Sequence, residues 1–216
     1  MTRLIIVRHA ESAYNIERRI QGHLDSALTP KGRRQARRLA ARIFKHFKVE
    51  RIYSSDLGRA YSTTAEIARR HPRIPVVRDP KLREIHLGAW EGMTAEEVDR
   101  LYDNGYKRWL KKPTACPIPG SEPIGRFRRR IVERLESIAR SNRGRTVLVV
   151  THGGAITALL AHWLKADFDT LILNLQIDNT SLTLAEETDR RVRLLCINDA
   201  THLSKKDHHE DCWHRR

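Results

Sequence analysis

Two short apolar runs constrain this chain more than anything else in it. Leu4-Ile5-Ile6-Val7 and Val147-Leu148-Val149-Val150 are unbroken aliphatic stretches, mostly β-branched, each bounded by polar residues. Such runs read as strands buried on both faces, the kind found in parallel sheets covered by helices. The first runs into Arg8-His9 and the second into Thr151-His152-Gly153-Gly154. Chemistry-bearing residues thus stand at the C-terminal ends of two strands, where ligands bind in open α/β sheets. Arg8 is a permanent cation suited to a phosphate or carboxylate. His9 is suited to act as base or nucleophile near neutral pH. Taken singly, such a pair is equally well explained as a surface cation beside a hydrogen-bonded histidine.

The rest of the chain alternates in the same way. Residues 51–55 and 75–77 read as further strands. Thr29-Pro30 reads as an N-cap followed by proline at the first helical position. Ala36, Leu39, Ala40, Ile43 and Phe47 then form one apolar helical stripe. Phe127, Ile131, Leu135 and Ile138 form a second stripe, and Ile156, Leu159, Leu160 and Trp163 a third. The arginines opposite the first two stripes read as solvated faces. Thr94 to Glu97 has the form of a capping box. Residues 111–123, with four prolines, read as a loop partly covering a site, and residues 181–187 and 190–198 as a strand hairpin. Arg59 falls near a helix N-terminus after the strand at 51–55. A cation is unfavourable there unless an anion is also present, which favours a ligand-binding role.

Composition narrows the function classes. The 216 residues carry Lys+Arg 41 against Asp+Glu 26, a net charge of +15. That balance favours anionic ligands without choosing among phosphorylated metabolites, nucleic acid and acidic membranes. Three scattered cysteines argue against a disulfide framework or a cysteine zinc site and fit a reducing cytoplasm. No apolar stretch approaches membrane-spanning length, and the N-terminal run is too short for a signal peptide. One domain over residues 1–203 is expected, followed by a polar, His-rich tail over 204–216. A metal site from His208, His209, His214 and Cys212 is disfavoured, because the tail lacks a zinc-like spacing.

Two arginines, two histidines and one glutamate, Glu84 among Leu82, Ile85 and Leu87, are therefore expected at one sheet edge. The chain has no P-loop, no paired-aspartate cluster and no G-x-S-x-G. Cations and imidazoles without a metal suit phosphoryl transfer through a phosphohistidine. Arginines stabilise the equatorial oxygens, a neutral histidine attacks, and Glu84 supplies the leaving group's proton. Asn15, Gln21 and Gly22 offer neutral donors from the loop after His9, and the Gly153-Gly154 backbone offers more.

The motifs RHAES, N-x-x-x-R-x-Q-G (15–22), D-x-x-L-T-x-x-G (25–32), SSDLGRA, LREIHLGAWEG, PGSE and THGGAI occur in order along nearly the whole chain. Together they resemble the histidine phosphatase, or phosphoglycerate mutase-like, superfamily. The resemblance implies a three-layer α/β/α sandwich with a mostly parallel central sheet, and a phosphoric monoester hydrolase of the histidine acid type. It implies that His9 is phosphorylated, that Arg8, Arg59 and His152 bind the phosphoryl group, and that Glu84 is proton donor and then base. Asn15, Gln21 and Gly153 become auxiliary phosphate contacts. Ala10 and the PGSEP loop depart from the usual pattern. The LG-x-WEG segment resembles the phosphatase branch and lacks the Y-G-x-L-Q-G of cofactor-dependent mutases. The expected partner is a small phosphorylated substrate, with no cofactor and no membrane; nucleic acid is disfavoured and homo-oligomerisation is left open. The alternatives are a cofactor-dependent phosphoglycerate mutase and a non-catalytic anion- or nucleic-acid-binding protein. Arg18, Arg19, Arg83, Lys107 and Arg108 suggest a substrate with a second anionic group.

Overall fold

The computed structural model describes residues 1–188, 191–204 and 207. Six strands form one sheet: β1 (Thr2–Arg8), β2 (Arg51–Ser54), β3 (Val76–Arg78), β4 (Thr146–Thr151), β5 (Leu182–Glu187) and β6 (Val192–Asp199). Their order is β3-β2-β4-β1-β5-β6. β1, β2, β3 and β4 run parallel, while β5 pairs antiparallel with β1, and β6, at the sheet edge, pairs antiparallel with β5. The helices are α1 (Ala13–Ile16), α2 (Pro30–His46), α3 (Gly58–Ala68), α4 (Ala95–Leu101), α5 (Gly105–Lys111), α6 (Ile124–Ser141), α7 (Gly153–Leu164) and α8 (Phe168–Asn174).

The pleat explains why the two opening runs carry no polar residue. Side chains alternate faces along a strand, so an unbroken run feeds two cores at once. Leu4, Ile6, Val147 and Val149 pack with Phe127, Ile131 and Leu135 of α6 and Ile156 and Leu159 of α7. Ile5, Val7, Leu148 and Val150 pack on the other side with Leu39 and Ile43 of α2 and Ala60 and Ile67 of α3. The result is the expected three-layer α/β/α sandwich. Thr29 caps α2 through Gly32 N–H, and Thr94 with Glu97 closes the capping box of α4.

This layering also makes the crevice. The connection after β1 leads to α2 on one face, and the connection after the neighbouring β4 leads to α7 on the other. The two chains part at the C-terminal ends of adjacent parallel strands, which opens a ligand crevice. Over it lies a small third cluster, in which buried Trp90, Val98 and Ile118 pack with Leu87, Tyr102, Tyr106 and Trp109. Gly88 fixes that cover to the residue 111–123 loop. Its φ is +51°, and a Cβ there would lie 2.2 Å from the Pro119 carbonyl oxygen.

The body reaches beyond the boundary at residue 203 drawn from the sequence. Asp207 is 2% exposed. Its carbonyl accepts from Gln35 Nε2, and its carboxylate pairs with Arg34 and Arg38 on α2. His208, His209, Cys212 and His214 lie outside the described residues. Among the described residues, no helix is long and apolar enough to cross a membrane, and no group of three or more His, Cys, Asp or Glu could hold a metal ion.

Candidate active site

Strand register brings the two histidines together. Arg8 is opposite Thr151 in the β1–β4 ladder, so His9 and His152 follow at the same level. Their rings lie 5.2 Å apart, and both residues are buried. His9 is pinned through its backbone: its N–H donates to the Thr151 carbonyl, and its own carbonyl accepts from Asn179 Nδ2.

The His9 ring is held in one tautomer. Nδ1 lies 2.8 Å from the Ala10 carbonyl oxygen, which can only accept, so Nδ1 carries the proton. Nε2 is left with its lone pair and accepts from Arg59 Nε–H at 3.3 Å. Burial, then the Arg59 and Arg8 charges, holds the His9 imidazole well below its ordinary value of 6.5. Burial and the same arginines do likewise to His152. Both rings are therefore neutral at pH 7.

This has a consequence for stability. In the unfolded chain both histidines bind a proton near pH 6.5, whereas in the folded state they do not. The unfolded state thus gains protons first as pH falls. Stability is full above about pH 6.5 and drops below it by up to about 1.4 kcal/mol per pH unit for each histidine. Denaturant midpoints measured at pH 7.5 and 5.5 are expected to show the lower value at 5.5.

Arg59, 1% exposed, does more than face a ligand. Its guanidinium donates to the Leu24 and Gly22 carbonyls at 2.7 and 2.8 Å and to Asp25 Oδ1 at 3.3 Å. With Nε on His9, four of its five N–H groups are committed, leaving one for a ligand. Asp25 also accepts from the Gly58 and Arg59 backbone N–H groups. The anion that a cation at this helix N-terminus calls for is thus supplied, at least in part, by the protein's own Asp25. Arg8 is less occupied: Nη1 donates to the Ile177 carbonyl, and its buried Nε has no partner among the described residues. His152 Nε2 lies 2.8 Å from Ser55 Oγ, and its buried Nδ1 likewise has none.

Glu84 sits at the start of α7. Its carboxylate accepts from the Gly154 N–H at 2.9 Å and the Ile85 N–H at 3.1 Å. A Cβ on Gly154 would lie 2.5 Å from Glu84 Oε1, so this approach depends on glycine. Arg8, His9, Gln21, Gly22, Arg59, Glu84 and Gly153 line one cavity of about 400 Å³. The His152 ring lies beside His9, its plane tilted 60° to that of His9. Asn15 does not line the cavity: its Oδ1 accepts from the Ser12 N–H and hydroxyl and caps α1.

Sequence reasoning missed the residues that tie these loops together. Glu91 Oε1 accepts from the His23 and Leu87 N–H groups, both at 2.8 Å. It thereby joins the loop of Gln21 and Gly22 to the loop of Glu84. Its side chain is 7% exposed, and Gly22 is required beside it, since a Cβ would lie 1.9 Å from Oε1. His23 Nε2 lies 2.9 Å from the Glu84 carbonyl oxygen. A glutamate after tryptophan carries no sequence signal for such a bridge. Glu91→Ala strands two backbone donors and is expected to destabilise the fold by about 2 kcal/mol, while Glu91→Gln retains most of that stability. Urea unfolding of both variants checks this.

An orphaned Arg8 N–H, a lone-pair imidazole, a spare guanidinium N–H and a carboxyl group around one cavity, with the His152 ring beside His9, are suited to phosphoryl chemistry. Comparison with known proteins points the same way. The profile of the histidine phosphatase superfamily (branch 1) matches residues 4–200. The chain is 34% identical over 206 residues to phosphoserine phosphatase 1 of Hydrogenobacter thermophilus, covering 95% of this chain and 96% of that protein. It is 40% identical over 157 residues to phosphoglycerate mutase-like protein 4 of Arabidopsis thaliana, covering 72% and 68%. The solved structure of YhfR from Bacillus stearothermophilus superposes with a TM-score of 0.88 at 34% identity, covering 94% of this chain and 99% of that one.

Proposed function

The chain belongs to branch 1 of the histidine phosphatase superfamily, and from that premise we propose that it hydrolyses phosphomonoesters of small molecules through a phosphohistidine on His9. The observation carrying this reading is the fixed His9 tautomer. Nδ1–H is held by the Ala10 carbonyl, and a lone pair on Nε2 is kept ready by Arg59.

The geometry supports the following steps. The phosphoryl oxygens take up the unpartnered Arg8 Nε–H, the remaining Arg59 N–H, an N–H of His152 and the N-terminal end of α7 at Gly153. Gln21 contributes its amide N–H, its Oε1 being used by Ser12. His9 Nε2 attacks phosphorus and the ester P–O bond breaks. Glu84 is the one carboxyl group among the described residues lining the cavity, and it protonates the departing alkoxide. Once Nε2 is bonded to phosphorus it can no longer accept from Arg59, and the Nε–H is released to a phosphoryl oxygen. Water then attacks, Glu84 takes its proton, the N–P bond breaks, and inorganic phosphate leaves. The two arginines supply charge stabilisation throughout.

The one domain runs from residue 1 through at least Asp207, and the scattered cysteines support a cytoplasmic protein. The names of the relatives include a phosphatase and a mutase-like protein; for this chain, a hydrolase and a mutase reading share the attack by His9 and differ in whether water or a phosphate-acceptor substrate takes the phosphoryl group. The deciding assay measures inorganic phosphate release from an alkyl phosphate beside interconversion of 3- and 2-phosphoglycerate, with and without bisphosphoglycerate. Phosphate release with negligible interconversion is expected. Interconversion faster than release would replace the hydrolase reading by the mutase one.

A further inference from the structure

Beyond its phosphate end, the cavity is apolar. The 85–90 loop gives Leu87 and Trp90, α5 gives Tyr106 and Trp109, and α8 gives Phe168 and Ile172. Tyr106 and Trp109 stack with ring centroids 5.8 Å apart and planes 17° from parallel. Among the described lining residues, the charged side chains are Arg8, Arg59 and Glu84, all assigned above to the phosphoryl group and its leaving oxygen. Among the neutral polar side chains, Thr157 and Gln176 have hydrogen-bond partners, Gln21 is assigned above to the phosphoryl group through its amide N–H, and the buried Trp90 Nε1–H has no partner among the described residues.

The cations that the sequence suggested for a second anion are elsewhere. None of Arg18, Arg19, Arg83, Lys107 or Arg108 lines the cavity. Arg19 pairs with Glu17 and Glu97, and Arg83 forks onto Asp56. Arg108 pairs with Asp103, and Lys107 bonds Asn104 Oδ1. A carboxylate or ammonium on the leaving group would lose its water against aromatic and aliphatic walls with no opposite charge to meet it.

We infer that the preferred substrates are phosphomonoesters of apolar alcohols, aryl or medium-chain alkyl, rather than charged metabolites such as phosphoserine or 3-phosphoglycerate. This rests on the hydrolase reading above and names the substrate class of the same site. A cavity of this size suits a phosphate with one such group.

The test has a kinetic arm and a binding arm. kcat/KM is measured for ethyl, butyl and hexyl phosphate, phosphoserine and 3-phosphoglycerate. Calorimetry gives Kd for the non-hydrolysable ethyl-, butyl- and hexylphosphonates. Both series are expected to improve about threefold to fourfold per methylene, the equivalent of about 0.8 kcal/mol per buried CH2. Hexyl phosphate is expected to exceed phosphoserine and 3-phosphoglycerate by more than about a hundredfold. Trp109→Ala is expected to flatten both series, and Ile172→Lys to shift the kcat/KM ratio toward 3-phosphoglycerate. Turnover with phosphoserine or 3-phosphoglycerate equal to or above hexyl phosphate overturns the inference and leaves the hydrolase reading intact. Chain-length-dependent phosphonate binding without turnover of any ester supports the apolar subsite and overturns the hydrolase reading instead.

Discussion

Replacing His9 by alanine is expected to lower kcat by at least about 10⁴-fold on every phosphomonoester, with no phosphoenzyme trapped on rapid quenching. Losses of that order accompany removal of an attacking nucleophile, because the remaining groups stabilise a transition state that can no longer form by the same route. The variant should still fold. His9 is held largely by its backbone, through Thr151 and Asn179, and these bonds survive truncation of the ring. Alanine removes the ring contacts with the Ala10 carbonyl and with Arg59 Nε. Arg59 keeps its bonds to Gly22, Leu24 and Asp25, so the loop behind it stays in place. Inorganic phosphate is therefore expected to bind His9→Ala with affinity within about tenfold of the parent, since Arg8, His152 and the start of α7 remain. Residual activity within about tenfold of the parent, in a variant with an unchanged unfolding midpoint, would remove His9 as the nucleophile.

What the sequence disclosed here, and what it did not, follows from where each residue's partners lie. Leu4–Val7 and Val147–Val150 were readable because strands covered on both faces admit no polar residue, which leaves an unbroken run. Histidines at the ends of such runs were readable as a pair because parallel neighbours bring their C-terminal ends to one edge. The helix α2 was readable from its cap and stripe. By contrast, α5 and α8 are seven residues each, too short for a repeating stripe, and they supply the aromatic and aliphatic walls of the cavity. Asp25 acts on Gly58, 33 positions away, and Glu91 reaches His23, 68 positions away, and no local pattern announces a carboxylate that bridges two loops. The surplus of arginines misled for a related reason: composition counts charges without their partners, and Arg19, Arg83 and Arg108 are taken up by neighbouring carboxylates.

Glu84→Gln separates the two tasks assigned to that carboxyl group. An alkoxide is a poor leaving group and needs its proton as the P–O bond breaks, so alkyl phosphates are expected to lose about 10³-fold in kcat/KM, within the range usual for loss of a general acid. p-Nitrophenolate is weakly basic and departs unaided, so phosphorylation of His9 by the aryl ester is expected to fall by less than about tenfold. The second half-reaction differs. Water attacking phosphohistidine has no carboxylate to take its proton, whatever the first leaving group was. The variant should therefore accumulate phosphoenzyme on the aryl substrate, giving a burst of about one equivalent of p-nitrophenolate before a slow steady state. Glutamine is the appropriate replacement, because its Oε1 can still accept one of the two hydrogen bonds from Ile85 and Gly154. Stopped-flow absorbance reads the burst, and the ratio of alkyl to aryl kcat/KM reads the proton transfer. Equal losses on both esters with no burst would mean that Glu84 positions the start of α7 and moves no proton.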